Sequence, residues 1–142
     1  MTARSILLVE DNAGDVRLTR EALREADVSV ELTAVPDGEQ ALAFLRGEGP
    51  HAGVPTPDLI LLDLNLPKKN GLEVLEEIKR DPELRRTPVI MLTTSSSARD
   101  IAACYERGVN CYIVKPLDLD DFTLLVRAIN GFWFEVARLP PR

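Results

Sequence analysis

Polar side chains that could do chemistry stand directly after short apolar runs in this sequence. A carboxylate pair follows the first run, a single carboxylate the third, a hydroxyl the fourth and an ammonium the fifth. Carboxylates can hold a hard divalent cation, and a hydroxyl and an ammonium can hold the oxygens of a phosphoryl group. The pattern therefore predicts a phosphoryl-binding metal site if the fold brings these side chains together. In chain order they are Glu10, Asp11, Asp63, Thr93 and Lys115.

The elements that must position these residues are repeated βα units, because short apolar runs alternate with longer helical patterns. The predicted strands are 5–9, 32–35, 59–62, 88–92 and 111–114, and the predicted helices include 13–26, 99–107 and about 119–136. The third run is apolar without alternation, which is typical of a central parallel strand covered on both faces. We expect an α/β fold of the flavodoxin-like (βα)5 type, a doubly wound parallel sheet of order 2-1-3-4-5 in three α/β/α layers.

In that strand order, the first and third strands are neighbours at the point where ligands bind. Glu10, Asp11 and Asp63 would then crowd into one crevice. At about 4 Å and an effective dielectric of about 20, one pair of like charges costs on the order of 4 kcal/mol. A magnesium ion would relieve that repulsion. Taken singly, Asp11 could as well be a solvated loop residue or a helix N-cap, so the prediction rests on the three acids together.

The same positions resemble the signature of a known family. The strings ILLVEDN (6–12), DLILLDLNLP (58–67) and YIVKP (112–116), together with Gly71, are similar to those of response regulator receiver domains, the CheY-like family. The likeness covers essentially the whole chain. It implies a two-component response regulator that accepts a phosphoryl group from the phosphohistidine of a sensor histidine kinase and then changes conformation. The resemblance further implies a signalling phosphoacceptor that catalyses only its own phosphorylation and dephosphorylation.

The resemblance also implies individual roles. It makes Asp63 the phosphorylated residue, and it implies that the bond between Lys115 and Pro116 is cis, an isomer that costs little at proline. The implied Mg²⁺ ligands are Asp11, Asp63, the backbone carbonyl of Asn65 and, through a bound water, Glu10. The implied phosphoryl-binding and switch residues are Thr93, Lys115 and Tyr112.

A narrower likeness lies in the Gly/Pro-rich loop 47–57 and the C-terminal string 131–140. Both resemble single-domain regulators paired with phytochrome histidine kinases. This likeness implies that the partner kinase is a bacteriophytochrome. We expect one receiver domain over residues 1–142, with a C-terminal helix extension over about 131–142. Since 27 residues follow Lys115, we expect no output domain.

The C-terminal aromatics predict a homodimer. One helical face, formed by Phe122, Val126, Ile129 and Trp133, suffices to pack on the sheet. Phe134 would lie about 100° further round, which predicts an exposed apolar patch and a two-fold interface through the fourth helix, fifth strand, fifth helix and tail. Regulators of the phytochrome-associated kind tend to dimerise on that face. The alternative is that Gly131 breaks the helix and the aromatics fold back over the domain.

Several other classes of function are disfavoured. A net charge of −6 argues against a nucleic-acid-binding groove, and no P-loop string is present. No signal peptide or apolar run long enough to cross a membrane is visible, so we expect a cytoplasmic protein that does not enter the membrane. A haloacid-dehalogenase-like phosphatase would need a second acid at position 65, where Asn65 stands. A pseudo-receiver that binds without phosphoryl turnover stays open as an alternative.

Overall fold

All five predicted strands lie in one parallel sheet in the computed structural model, which describes residues 4–141. The strand order is β2-β1-β3-β4-β5, as predicted. β3 is buried along its whole length, as its unbroken apolar run indicates. The strands are β1 Arg4–Val9, β2 Val30–Val35, β3 Leu59–Leu62, β4 Val89–Thr93 and β5 Cys111–Val114.

Helices cover both faces of the sheet. Alternate strand residues divide between two apolar clusters, so that Leu7 and Leu62 lie in one and Leu8 and Leu61 in the other. The first cluster includes residues of α2, α3 and α4, and the second includes residues of α1 and α5, which completes the predicted three layers. The helices are α1 Ala13–Glu25, α2 Gly38–Leu45, α3 Gly71–Arg80, α4 Ala98–Glu106 and α5 Leu119–Ile129.

Side-chain caps fix where the site-bearing helices begin. Asn12 accepts a hydrogen bond from the backbone of Asp15 at the start of α1. Asn70 and Glu73 form a reciprocal capping box at the start of α3. Both helices therefore begin directly beyond the loops that carry the acidic residues.

Some predicted bounds differ from the structure. β2 begins at Val30, two positions before the predicted 32. Its pairing with β1 already starts there, with Val30 opposite Arg4. β4 begins one position late, at Val89. Pro88 has no N–H to donate, although its carbonyl accepts a bond from Ile60.

The C-terminal helix departs from the prediction in a way that matters for the surface. α5 continues as a π-helical segment, Asn130–Val136, in which the N–H of Ala137 donates to the carbonyl of Phe132. Wider i to i+5 spacing brings both Trp133 and Phe134 against the core beside α1 and α5. The prediction that Phe134 is exposed was therefore wrong, and the exposed aromatic of the segment is Phe132, at 54%.

The extension is helical only as far as Val136, rather than throughout 131–142. Residues 137–141 continue without helix, and residue 142 lies outside the described part. Ala137 and Leu139 line a cavity of about 510 Å³ together with Arg4 and Phe44. The tail thus returns towards the strand end opposite the acidic residues. Among residues 4–141, none of the helices combines the length and the apolar character that a bilayer crossing requires.

Candidate functional site

The predicted acidic cluster forms at the carboxyl ends of β1 and β3. These strands are paired with Val9 opposite Leu62, and the N–H of Asp63 donates to the carbonyl of Val9 at 3.0 Å. Carboxylate oxygens of Glu10, Asp11 and Asp63 lie within 4.8 Å of one another. Glu10 and Asp63 are buried, while Asp11 is exposed. Three carboxylates at this spacing, one of them open to water, fit a divalent cation.

Lys115 supplies the positive charge from the end of β5. Its backbone N–H donates to the carbonyl of Thr93 at 2.7 Å, which continues the strand pairing up to the site. Its buried ammonium lies 2.5 Å from Oε1 of Glu10, 3.0 Å from Oδ2 of Asp15 and 3.5 Å from Oδ2 of Asp63. Burial disfavours the ammonium, but the hydrogen bonds to Glu10 and Asp15 together with the nearby charges of Asp63 and Glu10 outweigh it and raise the pKa of Lys115. The lysine therefore stays charged at neutral pH.

Glu10 is engaged by protein donors on both oxygens. Oε1 pairs with Lys115, and Oε2 accepts the N–H of Asn12 at 3.2 Å. Burial raises the pKa of Glu10 to about 7, with the nearby Asp63 charge adding to the rise and the Lys115 hydrogen bond opposing it. Because both oxygens already have partners, this carboxylate is less available than that of Asp11 for direct contact with a cation.

The loop after β3 is held close to α3. The N–H of Gly71 donates to the carbonyl of Leu64 at 2.8 Å. A methyl group at position 71 would lie 2.4 Å from the carbonyl oxygen of Asp63, so only glycine allows this approach. The N–H of Asn65 points to Oδ1 of Asp63 at 3.4 Å. The N–H of Asn65 thus faces Asp63, while the role of its carbonyl as a metal ligand stays a prediction.

Thr93 and Tyr112 lie on the β4–β5 side of the site. The hydroxyl of Thr93, at the end of β4, is buried and has no hydrogen-bond partner within the described residues. Tyr112 packs partly buried against the apolar cluster of α2, α3 and α4. Its hydroxyl donates to the carbonyl of Ser95 at 2.8 Å, in the loop that follows Thr93. Since buried hydroxyls are normally satisfied, Thr93 marks a place where a polar ligand would fit.

The expected cis bond before Pro116 is not present. No peptide bond within residues 4–141 is cis, so Lys115 and Pro116 are joined in trans. The trans isomer is the more stable one at X-Pro bonds, by about 0.5–1 kcal/mol. That expectation came from the family likeness alone and was wrong.

The sequence interpretation missed Asp15, which contacts the Lys115 ammonium from the first turn of α1. A signal was available, because Asp15 stands four positions after Asp11 and three after the cap residue Asn12, which places an acid in the first turn of α1. That pattern also has an ordinary structural reading, namely a favourable charge at a helix start. Only the fold brings this acid to Lys115.

Comparisons with known proteins identify the relatives of this chain. The family model "Response regulator receiver domain" matches residues 6–127. Response regulator Rcp1 of Synechocystis sp. is 50% identical over 135 residues, which cover 95% of this chain and 92% of that protein.

Two solved structures are similar over nearly their whole lengths. The phosphorylated cyanobacterial phytochrome response regulator RcpA has a TM-score of 0.92 at 50% identity, covering 99% of this chain and 100% of that one. The Mn²⁺-bound form of Rcp1 has a TM-score of 0.88 at 48% identity, covering 97% and 99%. The family match, the 50% identity and the shared fold show that the chain belongs to the response regulator receiver family of two-component signal transduction.

Proposed function

We propose that this chain is a Mg²⁺-dependent phosphoacceptor that takes a phosphoryl group onto Asp63. The main support for this proposal is the set of charged groups around that carboxylate. Glu10 and Asp11 contribute acidic oxygens on one side, and the Lys115 ammonium lies 3.5 Å away on another. This combination can hold a cation and a phosphoryl group at once. It favours phosphotransfer over the pseudo-receiver alternative, because none of the expected side chains is missing.

In the proposed reaction, a carboxylate oxygen of Asp63 attacks the phosphorus of a phosphohistidine. A P–O bond forms as the P–N bond breaks, the imidazole nitrogen keeps the electron pair, and an acyl phosphate results. Lys115 stabilises charge on the phosphoryl oxygens. The chain catalyses only its own phosphorylation, which consumes the phosphodonor, and the later hydrolysis, in which water takes the phosphoryl group as inorganic phosphate and frees the Asp63 carboxylate.

Mg²⁺ would be held by the side chains of Asp11 and Asp63 and by the backbone carbonyl of Asn65, with Glu10 acting through a bound water. Bound there, the ion would neutralise carboxylate and phosphoryl charge. The engagement of both Glu10 oxygens by Lys115 and Asn12 supports the indirect role of Glu10.

The switch would use the Thr93 hydroxyl, which gains a phosphoryl oxygen as its missing partner. Movement of Thr93 would then shift Tyr112, because the Tyr112 hydroxyl donates a hydrogen bond to the carbonyl of Ser95 in the loop after Thr93. The β4–α4 loop and α4 would thereby take up a second arrangement on phosphorylation.

The donor is proposed to be a cytoplasmic sensor histidine kinase of the phytochrome type. Support comes from the relatives, since RcpA is described as a phytochrome response regulator and is 50% identical to this chain. The Gly/Pro-rich loop 47–57 and the C-terminal segment, which carry the narrower likeness in the sequence, both fall within the matched 99% of this chain.

We also propose that the chain forms a homodimer through α4, β5 and α5, with the C-terminal segment extending the interface of this single domain. Large apolar side chains are exposed on these elements and on the loop between β5 and α5. Leu117 is 92% exposed and Leu124 is 62% exposed. A two-fold pair would cover such a patch. The exposed apolar side chains of these elements and the loop are Tyr105, Val114, Leu117 and Leu124, and Phe132 and Val136 are exposed on the C-terminal segment.

Mass spectrometry tests the phosphoacceptor. The protein incubated with Mg²⁺ and acetyl phosphate should gain one phosphoryl group, and the Asp63→Asn variant should gain none. The matched control is Asp58→Asn, a substitution of the same kind at the amino end of β3, which should leave phosphorylation unchanged. Undiminished phosphorylation of Asp63→Asn would refute the proposal.

A further inference from the structure

A fourth carboxylate reaches the site from a helix rather than from a strand end. Oδ2 of Asp15 lies 3.0 Å from the Lys115 ammonium, closer than Oδ2 of Asp63 at 3.5 Å. The lysine side chain is only 5% exposed, whereas that of Asp15 is 31% exposed. In the unphosphorylated protein, the buried ammonium is therefore bound more closely to Glu10 and Asp15 than to the proposed phosphoacceptor.

The backbone of Asp15 is held by hydrogen bonds, so its contact with Lys115 does not depend on side-chain rotation alone. Its N–H donates to the Asn12 cap at 3.0 Å, and its carbonyl accepts the Thr19 hydroxyl at 2.8 Å. Asp15 thus projects from the first turn of α1 at a defined place beside Lys115. Glu10 also binds the ammonium, but it is buried at the end of β1 and faces the cation cluster. Asp15 is not part of that cluster, so its effect on Lys115 can be altered separately.

We propose that Asp15 is a positioning residue which holds the Lys115 ammonium on the α1 side of the site and thereby weakens the hold of the site on a phosphoryl group. A phosphoryl oxygen at Asp63 must draw the ammonium away from Asp15. The inference rests on the proposed function, since it needs a phosphoryl group at Asp63. It makes Asp15 a residue that sets the level of phosphorylation rather than one that enables it.

The test uses beryllofluoride as a phosphoryl analogue in saturating Mg²⁺, with dissociation constants measured by calorimetry. Asp15→Asn should bind beryllofluoride about fivefold more tightly than the unaltered protein, because one partly exposed ion pair no longer competes for the ammonium. A residue that merely stabilised α1 would not produce tighter binding when it is lost. The matched control is Asp121→Asn in α5, since Asp121 also donates its N–H to the side chain of a cap three positions earlier. This control should not change the dissociation constant.

A double-mutant cycle shows whether Asp15 acts through the lysine. In a Lys115→Gln background, the further change Asp15→Asn should have almost no effect on beryllofluoride binding. If the Lys115→Gln variant binds too weakly to measure, the single variants are compared at 0.05 M and 1 M NaCl. If Asp15 acts only through long-range charge, the gain in beryllofluoride affinity disappears at high salt. If the gain comes from releasing the buried Lys115 ammonium, it persists at high salt.

The outcomes separate the two proposals. No beryllofluoride binding by the unaltered protein refutes the phosphoacceptor and this inference with it. Binding by the unaltered protein together with equal or weaker binding by Asp15→Asn overturns the inference alone. A fivefold gain that survives in the Lys115→Gln background, or that vanishes in high salt, also overturns it, because Asp15 would then act by its field and not by holding Lys115.

Discussion

Replacing Gly71 by alanine is expected to destabilise the protein and to displace the phosphoacceptor. Gly71 is the first residue of α3, where alanine would ordinarily be favoured. Here its methyl group would meet the carbonyl oxygen of Asp63 at 2.4 Å and the Cα of Leu64 at 2.7 Å. Both are backbone atoms, so neither can turn aside as a flexible side chain would.

The magnitude follows from these distances. A carbon and a carbonyl oxygen normally approach to about 3.3–3.6 Å, so the backbone of Asp63 must move by about 1 Å. Overpacking of this kind typically costs about 1–3 kcal/mol. Because the methyl group meets two backbone atoms that cannot turn aside, the cost lies at the upper end of that range. The gain from replacing a helical glycine by alanine is at most about 1 kcal/mol, so the free energy of unfolding should fall by about 2 kcal/mol.

Urea unfolding of Gly71→Ala and of the control Gly131→Ala measures this effect. A methyl group at position 131 meets no atom within 4 Å, and its segment is helical, so the control should gain up to about 1 kcal/mol. Phosphorylation of folded Gly71→Ala by acetyl phosphate should also be slower, while that of the control should not. The reasoning fails if Gly71→Ala is as stable as the unaltered protein.

Three further outcomes are expected. Thr93→Val removes a buried unsatisfied hydroxyl, so urea titrations should show a free energy of unfolding that is unchanged or raised by up to about 1–3 kcal/mol. The same variant should abolish the phosphorylation-dependent shift of the Tyr112 amide in NMR spectra. A loss of stability would contradict this. In calorimetry near neutral pH, Asp11→Ala should abolish Mg²⁺ binding, while Glu10→Ala should only weaken it. Equal Mg²⁺ affinities of Asp11→Ala and wild type would refute the assignment of Asp11 as a metal ligand. Light scattering at tens of micromolar should give twice the 15.7 kDa chain mass, and Leu124→Glu should restore the single mass; a wild-type monomer, phosphorylated or not, would rule out the dimer.

Strand order and strand-end chemistry were predictable because each depends on a local pattern. The apolar run of β3 needs two covered faces, and parallel strands present their carboxyl ends at one edge. Once β1 and β3 are neighbours, the proximity of Asp11 and Asp63 follows without any knowledge of side-chain packing.

Features that depend on helix phase or on contacts between distant elements were not predictable in this way. Phe134 faces the core because a π-helical segment changes the phase after Ile129, and a 3.6-residue period cannot reveal such a change. Asp15 reaches Lys115 across 100 positions of sequence, and its type and place are explained equally well by a helix start. The sequence leaves both of these outcomes open, and tertiary contacts decide them.

The groups proposed for signalling are also groups that cost the free protein stability. Like charges crowd at Glu10, Asp11 and Asp63, and the Thr93 hydroxyl is buried without a partner among the described residues. The central strands β3 and β4, which are buried along their whole lengths, offset that cost by burying apolar surface. A cation and a phosphoryl group would satisfy these groups only in the folded chain, so their binding must stabilise it. Because the unsatisfied groups lie on β1, β3 and β4 together, satisfying them changes the balance between arrangements of several elements at once, which is the property that a phosphorylation switch needs.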